Sequence, residues 1–327
     1  MRVPFDEMKS TLQRILLGLS FTADCAERCA HIFAANSRDG VYSHGLNRFP
    51  VFAEYLRQGL VDPQGRAILV ERQGSLEIWD GQRGPGMLGA SDCMARAISL
   101  AMENAIGCVT IRNNNHWMRG GSYGLQAVEA GCIGICFTNA MAGMVPWGGR
   151  EPRLGNNPLV IAMPNGDKPI LLDMAISQFS YGKMQQYEWE KKDLPFYGGW
   201  DEAGQLSLDP ALIRKNKSAL PIGFWKGSGL ALLLDMLLTS IGGGLSTAAI
   251  TRAGKELGLS QCFICIRPRN LHQELVEEII EYTKSAIALV AGEGFHYPGE
   301  RMLAIRKENQ QLGIPVHEPT WRKIQEM

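Results

Sequence analysis

A histidine and an arginine stand four residues apart in the segment GVYSHGLNRFP, as His44 and Arg48. In a helical turn, residues four apart lie on one side of the backbone, so the imidazole and the guanidinium would face the same ligand. Reduction of a 2-oxo acid needs both groups, because an acid that titrates near neutrality protonates the new alkoxide and a planar bidentate donor holds the carboxylate. The pair therefore indicates a site for a 2-oxo acid, with Ser43 available to orient the imidazole. Spacing alone favours a simpler interpretation, in which His44 caps a helix and Arg48 is a surface residue.

A second polar cluster, IRNNNHWMRGGSYG, contains three asparagines, His116, Trp117 and Arg119 before a Gly-Gly pair. Many side-chain donors beside a flexible backbone are typical of a loop that binds an anionic or polyhydroxylated ligand. The alternative is a polar loop that buries Trp117. Both interpretations stay open at this point.

Two further segments have the chemistry of cofactor sites. LLDMAISQFSYGK places Asp173 and Lys183 just past an apolar strand, and the ends of strands are where cofactors commonly dock. GFWKGSGL places Trp225 and Lys226 at a glycine-flanked helix start, where free backbone N–H groups favour a phosphate. For Trp225 the alternative is simple packing.

A literal G-x-G-x-x-G pattern occurs at Gly84, Gly86 and Gly89, after the strand-like run SLEIWD and before a helix. That is the context of a dinucleotide-binding loop. However, Pro85 removes a backbone donor from the loop. The acidic residue expected about twenty positions further on, at the end of a second strand, is missing, since Glu103 falls inside the predicted helix. The pattern therefore favours an ordinary glycine turn that leads into a helix.

The elements that must position these residues change in type along the chain. The first sixty residues predict three amphipathic helices, with Thr22 as an N-cap and Gly40 as a stop. From Val61 onwards, β-prone runs such as CVTIRN, GCIGICFTN, NPLVIAMP and KPILLDMA alternate with helical stretches. The fold class is therefore α/β (α+β), with a mixed sheet as its core.

This pattern predicts two domains. The segment after YPGE is helical again, and we expect it to pack on the amino-terminal helices. A discontinuous helical domain would then contain residues 1–60 and 302–327. The α/β region, residues 61–301, would bind the nucleotide and the substrate, with an excursion or lid near 185–215.

Composition excludes several classes of protein. Hydrophobic residues make up 45% of the 327 residues and charged residues 20%, which are the proportions of a globular chain. Lys plus Arg and Asp plus Glu both total 33, so no net positive field attracts a nucleic acid or an anionic membrane. We do not expect the first ten residues to act as a signal peptide, because they carry charges and a proline where an apolar core would stand, and the apolar run from Gly229 is interrupted by Asp235. We expect a soluble, cytoplasmic protein.

The cysteines predict packing rather than chemistry. All eight are spread through a large chain without an export signal, which favours reduced thiols. Cys262 and Cys265 form a lone CxxC inside an apolar run that is typical of a strand. No second pair of ligands stands near them, so we expect no metal site.

Taken together, these segments resemble the type-2 malate/L-lactate dehydrogenase family from end to end. The resemblance rests on segments that follow one another in the same order: GVYSHGLNRFP, RNNNHWMRGGSYG, PWGGREPRLGNNPL, LLDMAIS with FSYG, FWKGSGL and YPGE. It implies a nucleotide-binding domain that is not a Rossmann fold, a helical domain built from both termini, and a homodimer.

The resemblance also implies roles for individual residues. His44 would be the proton donor, and Arg48 and His116 would face the substrate. The implied cofactor is NADH, with NADPH also open because no residue is identified that faces the ribose 2′ position. The implied contacts to the cofactor come from three segments: Ile170, Leu171, Leu172, Asp173, Met174 and Ala175; Trp225 and Lys226; and Gly299, Glu300 and Arg301.

The expected reaction is reduction of a 2-oxo sugar acid, with 2,3-diketo-L-gulonate as the implied substrate. Two segments, VPWGGRE and the triplet at 299–301, differ from the PPWGAKE and GHE that such reductases carry. Reduction or oxidation of another acid therefore stays open, with malate, lactate, ureidoglycolate and cyclic imino acids as alternatives. A non-catalytic module that binds sugar acids is the alternative from another class.

Overall fold

A computed structural model describes residues 1–288 and 294–327. The described helices are α1 (Phe5–Gly18), α2 (Ala23–Arg38), α3 (Phe49–Arg57), α4 (Gly86–Asn104), α5 (Gly121–Glu129), α6 (Tyr181–Trp189), α7 (Pro210–Asn216), α8 (Trp225–Gly242), α9 (Thr247–Ala253), α10 (Gln273–Lys284), α11 (Glu300–Leu312) and α12 (Glu318–Gln325). The strands are β1 (Arg2–Val3), β2 (Ile68–Gln73), β3 (Leu76–Asp80), β4 (Ile106–Asn114), β5 (Ile133–Thr138), β6 (Ala142–Met144), β7 (Leu154–Gly155), β8 (Leu159–Met163), β9 (Ile170–Met174), β10 (Gly199–Trp200), β11 (Leu206–Ser207), β12 (Leu259–Ile266) and β13 (Ile314–Pro315).

The core is one seven-stranded sheet in the order β2-β3-β4-β12-β5-β8-β9. Only β3 and β4 are parallel neighbours, joined by the crossover helix α4, and the other neighbours are antiparallel. Helices α4 and α5 cover one face of the sheet and α8 covers the other. Because the central strands are buried on both faces, their sequences are continuous apolar runs. This sheet confirms the predicted α/β fold of a non-Rossmann type.

Both ends of the chain contribute to one helical layer. Strand β1 pairs with β13, with Val3 opposite Ile314. Trp321 and Ile324 of α12 are buried in the same apolar cluster as α1, α2 and α3. The carboxyl end therefore packs on the amino-terminal helices, whereas the division into domains at residues 60 and 302 stays a prediction.

The glycines of the pattern that begins at Gly84 allow neighbouring segments to pack closely. A Cβ on Gly84 would lie 2.4 Å from the carbonyl oxygen of Gly65, and one on Gly86 would lie 2.1 Å from that of Asn115. Gly89 packs against the Asn114 side chain in the same way. Because backbone and the Asn114 side chain already fill the space around these glycines, the turn has no room for a pyrophosphate, as the sequence predicted.

The predicted excursion is a small lobe that begins at α6 and ends at α7. Its apolar cluster consists of four buried residues, Met184, Leu194, Ile213 and Ala219. Ser180 caps α6 by accepting a hydrogen bond from the Lys183 amide, and Asp209 caps α7. The lobe therefore has defined structure with little core of its own.

Asp235 interrupts the apolar sequence of α8 because it holds the next helix in place. Its carboxylate accepts hydrogen bonds from the amide of Thr247, at the start of α9, and from the side chain of Asn139. No single helix in the two described ranges is long and apolar enough to cross a membrane, and α8 and α9 pass that test only as a pair bent by 90°.

Candidate active site

A cleft of about 2300 Å³ opens between the amino-terminal helices, the sheet and the α6–α7 lobe. His44, Arg48 and His116 all line it. The interpretation that spacing alone favoured, a capping histidine beside a surface arginine, is therefore wrong in its main point, because both side chains face one cavity.

His44 is held from two sides. It ends a short 3₁₀ helix, Tyr42–His44, and its carbonyl oxygen accepts a hydrogen bond from the Asn36 side chain at 3.0 Å. The Ser43 hydroxyl lies 3.2 Å from Nδ1 of the His44 ring. Since Ser43 occupies Nδ1, the Nε2 atom is the one left to meet a ligand.

His116 lies against His44 and has a fixed tautomer. The two rings are parallel, with centroids 5.6 Å apart and planes 6° apart. The backbone amide of Met118 donates to Nδ1 of His116 at 3.0 Å, so the neutral ring carries its hydrogen on Nε2. Burial, together with Arg48 and His44, holds the pKa of His116 well below its usual range. His116 is therefore a neutral hydrogen-bond donor.

The protonation of His44 depends on its charged neighbours. Burial lowers the pKa of His44 to about 4, and the Asp173 carboxylate opposes that shift. Arg48 and Arg119 add to the lowering. The imidazole is neutral at neutral pH in the free protein, and an anionic ligand between it and Arg48 would favour its charged form.

A buried ionic network lies beneath the site. Asp39 accepts hydrogen bonds from Arg119 at 2.8 Å and from Nε and Nη2 of Arg306 at 2.7 and 2.6 Å. Arg119 in turn places its Nε atom 3.5 Å from the Asp173 carboxylate, which also accepts from the amide of Gly121 at 3.0 Å. The network therefore ties Asp173 to α2 and α11.

Strand alternation divides the first group of predicted cofactor residues. Leu171, Asp173 and Ala175 line the cleft. Ile170, Leu172 and Met174 alternate with them along β9, so their side chains point to the other face of the sheet. Only every second residue of the segment can contact a ligand through its side chain.

The predicted cofactor residues Gly299, Glu300 and Arg301 lie beside β9. Gly299 and Arg301 line the cleft at the start of α11, whereas Glu300 turns to ion pairs with Lys284 and His296. Gly299 has φ +96°, and a Cβ there would lie 3.1 Å from the Leu171 amide nitrogen. A glycine is needed for this close approach of the two segments.

The predicted cofactor residues Trp225 and Lys226 lie away from this cleft. Trp225 is 67% exposed at the start of α8, and neither it nor Lys226 lines the cavity of its own chain. Trp225 does not pack within its own chain, and its role as a cofactor contact stays a prediction.

The asparagines of the RNNN segment hold backbone rather than a ligand. Asn114 donates to the carbonyl of Gly86 and to the Gln261 side chain, and Asn115 donates to the carbonyls of Arg83 and Gly84. Trp117 is buried, as the alternative interpretation predicted. Of this cluster, only the residues that follow the asparagines reach the cleft, among them His116 and Arg119.

Two partners in the site escaped the sequence analysis. Glu256 lies 3.6 Å from the Arg48 guanidinium, and no motif marks it. Asp39 stands in a helix-ending SRDG segment, which gave no sign of its contact with Arg119. Within the described ranges, no group of three His, Cys, Asp or Glu side chains is placed to hold a metal ion.

Comparison with known proteins matches nearly the whole chain. The model of the malate/L-lactate dehydrogenase family matches residues 3–325. A 2,3-diketo-L-gulonate reductase of Citrobacter koseri is 42% identical over 332 residues, which cover 99% of both chains. The reductase of the same name from Escherichia coli strain K12 is 41% identical with the same coverage.

Among solved structures, a malate dehydrogenase from Pyrococcus horikoshii OT3 is 28% identical, with a TM-score of 0.88 and coverage of 100% of this chain and 94% of that one. A malate dehydrogenase from Entamoeba histolytica has a TM-score of 0.93 at 24% identity, covering 100% of this chain and 96% of that one, and shows the shared fold alone. The match over nearly the whole length, in sequence and in fold, shows that this chain belongs to the malate/L-lactate dehydrogenase family.

Proposed function

We propose that this oxidoreductase uses NADH to reduce a 2-oxo sugar acid, 2,3-diketo-L-gulonate, at its C2 carbonyl. The observation that carries the proposal is the convergence of His44, His116 and Arg48 on one cleft. A proton donor, a neutral hydrogen-bond donor and a guanidinium are the groups needed to bind a 2-oxo acid and reduce it. The relatives at 41–42% identity that bear the name of this reductase support the substrate.

The residues beside β9 fit a dinucleotide. The start of α11, a thirteen-residue helix, offers its amides and the Arg301 cation to a pyrophosphate. Gly299 and Leu171 approach each other closely enough to leave backbone as the floor of the cleft. A nicotinamide bound here would supply the hydride.

The protein's own residues then have distinct tasks. Arg48 holds the substrate carboxylate, and His116 donates from Nε2 to a substrate oxygen. His44 gives its Nε2 proton to the C2 oxygen as that atom becomes an alkoxide, while Ser43 holds Nδ1 and fixes the ring. A substrate carboxylate held by Arg48 would raise the pKa of His44 from its low value in the free protein.

Malate is the alternative substrate, because a solved relative at 28% identity bears the name malate dehydrogenase. The test is a panel of 2-oxo acids presented with NADH and with NADPH, and the measurement is the fall in cofactor absorbance. We expect kcat/KM to be highest with 2,3-diketo-L-gulonate and NADH. Higher kcat/KM with oxaloacetate would assign the malate reaction, and cofactor binding without turnover on any acid would favour a non-catalytic module.

We also propose that the protein is a homodimer that pairs through α8. Trp225, Leu232, Leu233 and Met236 lie on one side of this helix, and all are exposed although the opposite side packs on the sheet. A stripe of four exposed apolar side chains on a central helix is typical of an interface between subunits. The exposed start of α8 would carry Trp225 and Lys226 towards the partner chain.

The proposed compartment is the cytoplasm. All eight cysteines are unpaired, and seven of them are buried in the apolar clusters. Unpaired thiols in this number support a reducing environment.

A further inference from the structure

Glu256 is the charged partner of Arg48. Among residues 1–288 and 294–327, it is the only acidic residue in ion-pair contact with the Arg48 guanidinium, at 3.6 Å between Oε2 and Nη2. A direct charge-assisted hydrogen bond is shorter, about 2.7–2.9 Å. Glu256 therefore orients the guanidinium by charge and leaves its donors available to a ligand.

The backbone fixes the position of Glu256. It lies in the short segment that follows α9, between Gly254 with φ +71° and Gly258 with φ +69°. The amino end of α9 is itself held by the carboxylate of Asp235. The loop is therefore tied to the sheet, whereas Arg48 comes from the amino-terminal helices.

The surroundings of Glu256 make its charge depend on Arg48. Burial raises the pKa of the Glu256 carboxyl, while Arg48, the backbone amide of Met141 and Lys217 oppose the shift. His116 and Tyr55, two further titratable residues, line a small cavity of about 20 Å³ that Arg48 and Glu256 also line. A neutral Glu256 would leave the guanidinium without its orienting charge.

We propose that Glu256 is the positioning residue for Arg48, so that the substrate carboxylate meets a guanidinium already turned towards His44 and His116. This inference rests on the proposed role of Arg48 in the reaction. Glu256 acts through Arg48 and not on the reacting atoms. Its contribution should therefore vanish when Arg48 is absent.

A double-mutant cycle tests this dependence. Glu256→Gln, Arg48→Ala and the double variant are compared with the unmodified chain in kcat/KM for the 2-oxo acid that it turns over best. We expect Glu256→Gln to lower kcat/KM about tenfold, mainly through a higher KM for the acid, with the KM for NADH unchanged. In the Arg48→Ala background the same change should have no effect. Glu256→Asp keeps the charge at a longer distance and should lose less.

A second measurement makes the result independent of the substrate. Oxalate is a small dicarboxylate, and its inhibition constant is measured across the same cycle. Glu151→Gln, in an exposed pair with Arg153 outside the cleft, is the matched control and should change neither quantity.

Equal losses from Glu256→Gln with and without Arg48 would overturn the inference, as would an unchanged kcat/KM. Failure of oxalate to inhibit the unmodified chain would also count against Arg48 as a carboxylate site. If the chain reduces another 2-oxo acid instead of 2,3-diketo-L-gulonate, the proposed substrate falls while the cycle still decides the role of Glu256.

Discussion

The imidazole rings of His44 and His116 lie parallel, with their centroids 5.6 Å apart. Both rings line the cleft, but only His116 has its tautomer fixed, by the Met118 amide. The pair therefore combines a donor whose state does not change near neutrality with an imidazole whose protonation responds to a ligand. That division fits a reduction, in which one group orients the carbonyl and the other delivers a proton.

Removing the imidazole of His44 should abolish most turnover. In His44→Ala we expect kcat to fall roughly 10²- to 10⁴-fold, because proton delivery to the alkoxide is lost. Binding of NADH, measured by fluorescence titration, should stay the same, since the proposed dinucleotide contacts lie at β9 and α11. Unchanged turnover in this variant would eliminate His44 as the proton donor.

The pH profile of reduction should show the low pKa of His44. In the free enzyme this pKa is about 4, so the charged form becomes rarer at every higher pH. We expect kcat/KM for reduction to fall about tenfold per pH unit through neutrality, and kcat/KM for the reverse oxidation to be flat there. A plateau of the reduction profile up to pH 7 would contradict this assignment.

Asp173→Asn should slow reduction. The Asp173 carboxylate is the neighbour that opposes the lowering of the His44 pKa, so removing its charge makes the charged imidazole still rarer. We expect kcat/KM to fall at pH 7 by the same factor for reduction and for oxidation, because the equilibrium constant fixes their ratio when the affinities for NADH and NAD are unchanged, and a less basic imidazole is also a poorer base in oxidation. A loss that appears only as a higher KM for NADH would indicate that Asp173 serves cofactor binding alone.

Asp39→Asn should destabilise the fold. The substitution leaves the buried guanidinium of Arg119 without its closest counter-charge, and breaking a buried pair in this way costs about 3–5 kcal/mol. The free energy of unfolding is measured in urea.

The same network makes the stability depend on pH. Burial raises the pKa of Asp39, but Arg306 and Arg119 outweigh burial and hold this pKa below its usual value of 3.8. The stabilisation is therefore present above that pH and is lost in acid as the carboxyl protonates. A variant as stable as the unmodified chain would show that the network is not structural.

Leu233→Glu should produce a monomer. The side chain is 57% exposed on α8, and a carboxylate there would be buried without a partner in the proposed dimer. Light scattering after size exclusion measures the mass. Leu17→Glu, on an exposed position of α1, is the control and should leave the mass of the dimer unchanged. A monomeric unmodified chain would refute the dimer itself.

The sequence predicts well what local pattern determines. Helix α8 and strand β12 stand where periodicity and apolar runs place them, and proline and the missing acidic residue correctly reject the glycine motif at Gly84. His44 and Arg48 line one cleft, as their four-residue spacing in a tight turn allows, although spacing alone favoured a capping histidine and a surface arginine.

Contacts between distant parts of the chain could not be predicted in this way. Arg306 meets Asp39 across 267 positions, and Glu256 meets Arg48 from a loop with no motif of its own. Both pairs depend on how helices dock on the sheet, which side-chain periodicity does not specify. The asparagines near His116 gave a misleading signal, because a buried backbone needs the same donors as a ligand does.

The pairing of β1 with β13 and the bond from Arg306 to Asp39 have a consequence for biosynthesis. A nascent polypeptide from which residues 304–327 have not yet emerged can form its sheet but cannot finish the layer that supports His44. Catalysis should therefore begin only once this segment has emerged from the ribosome, and a chain truncated before it should be inactive.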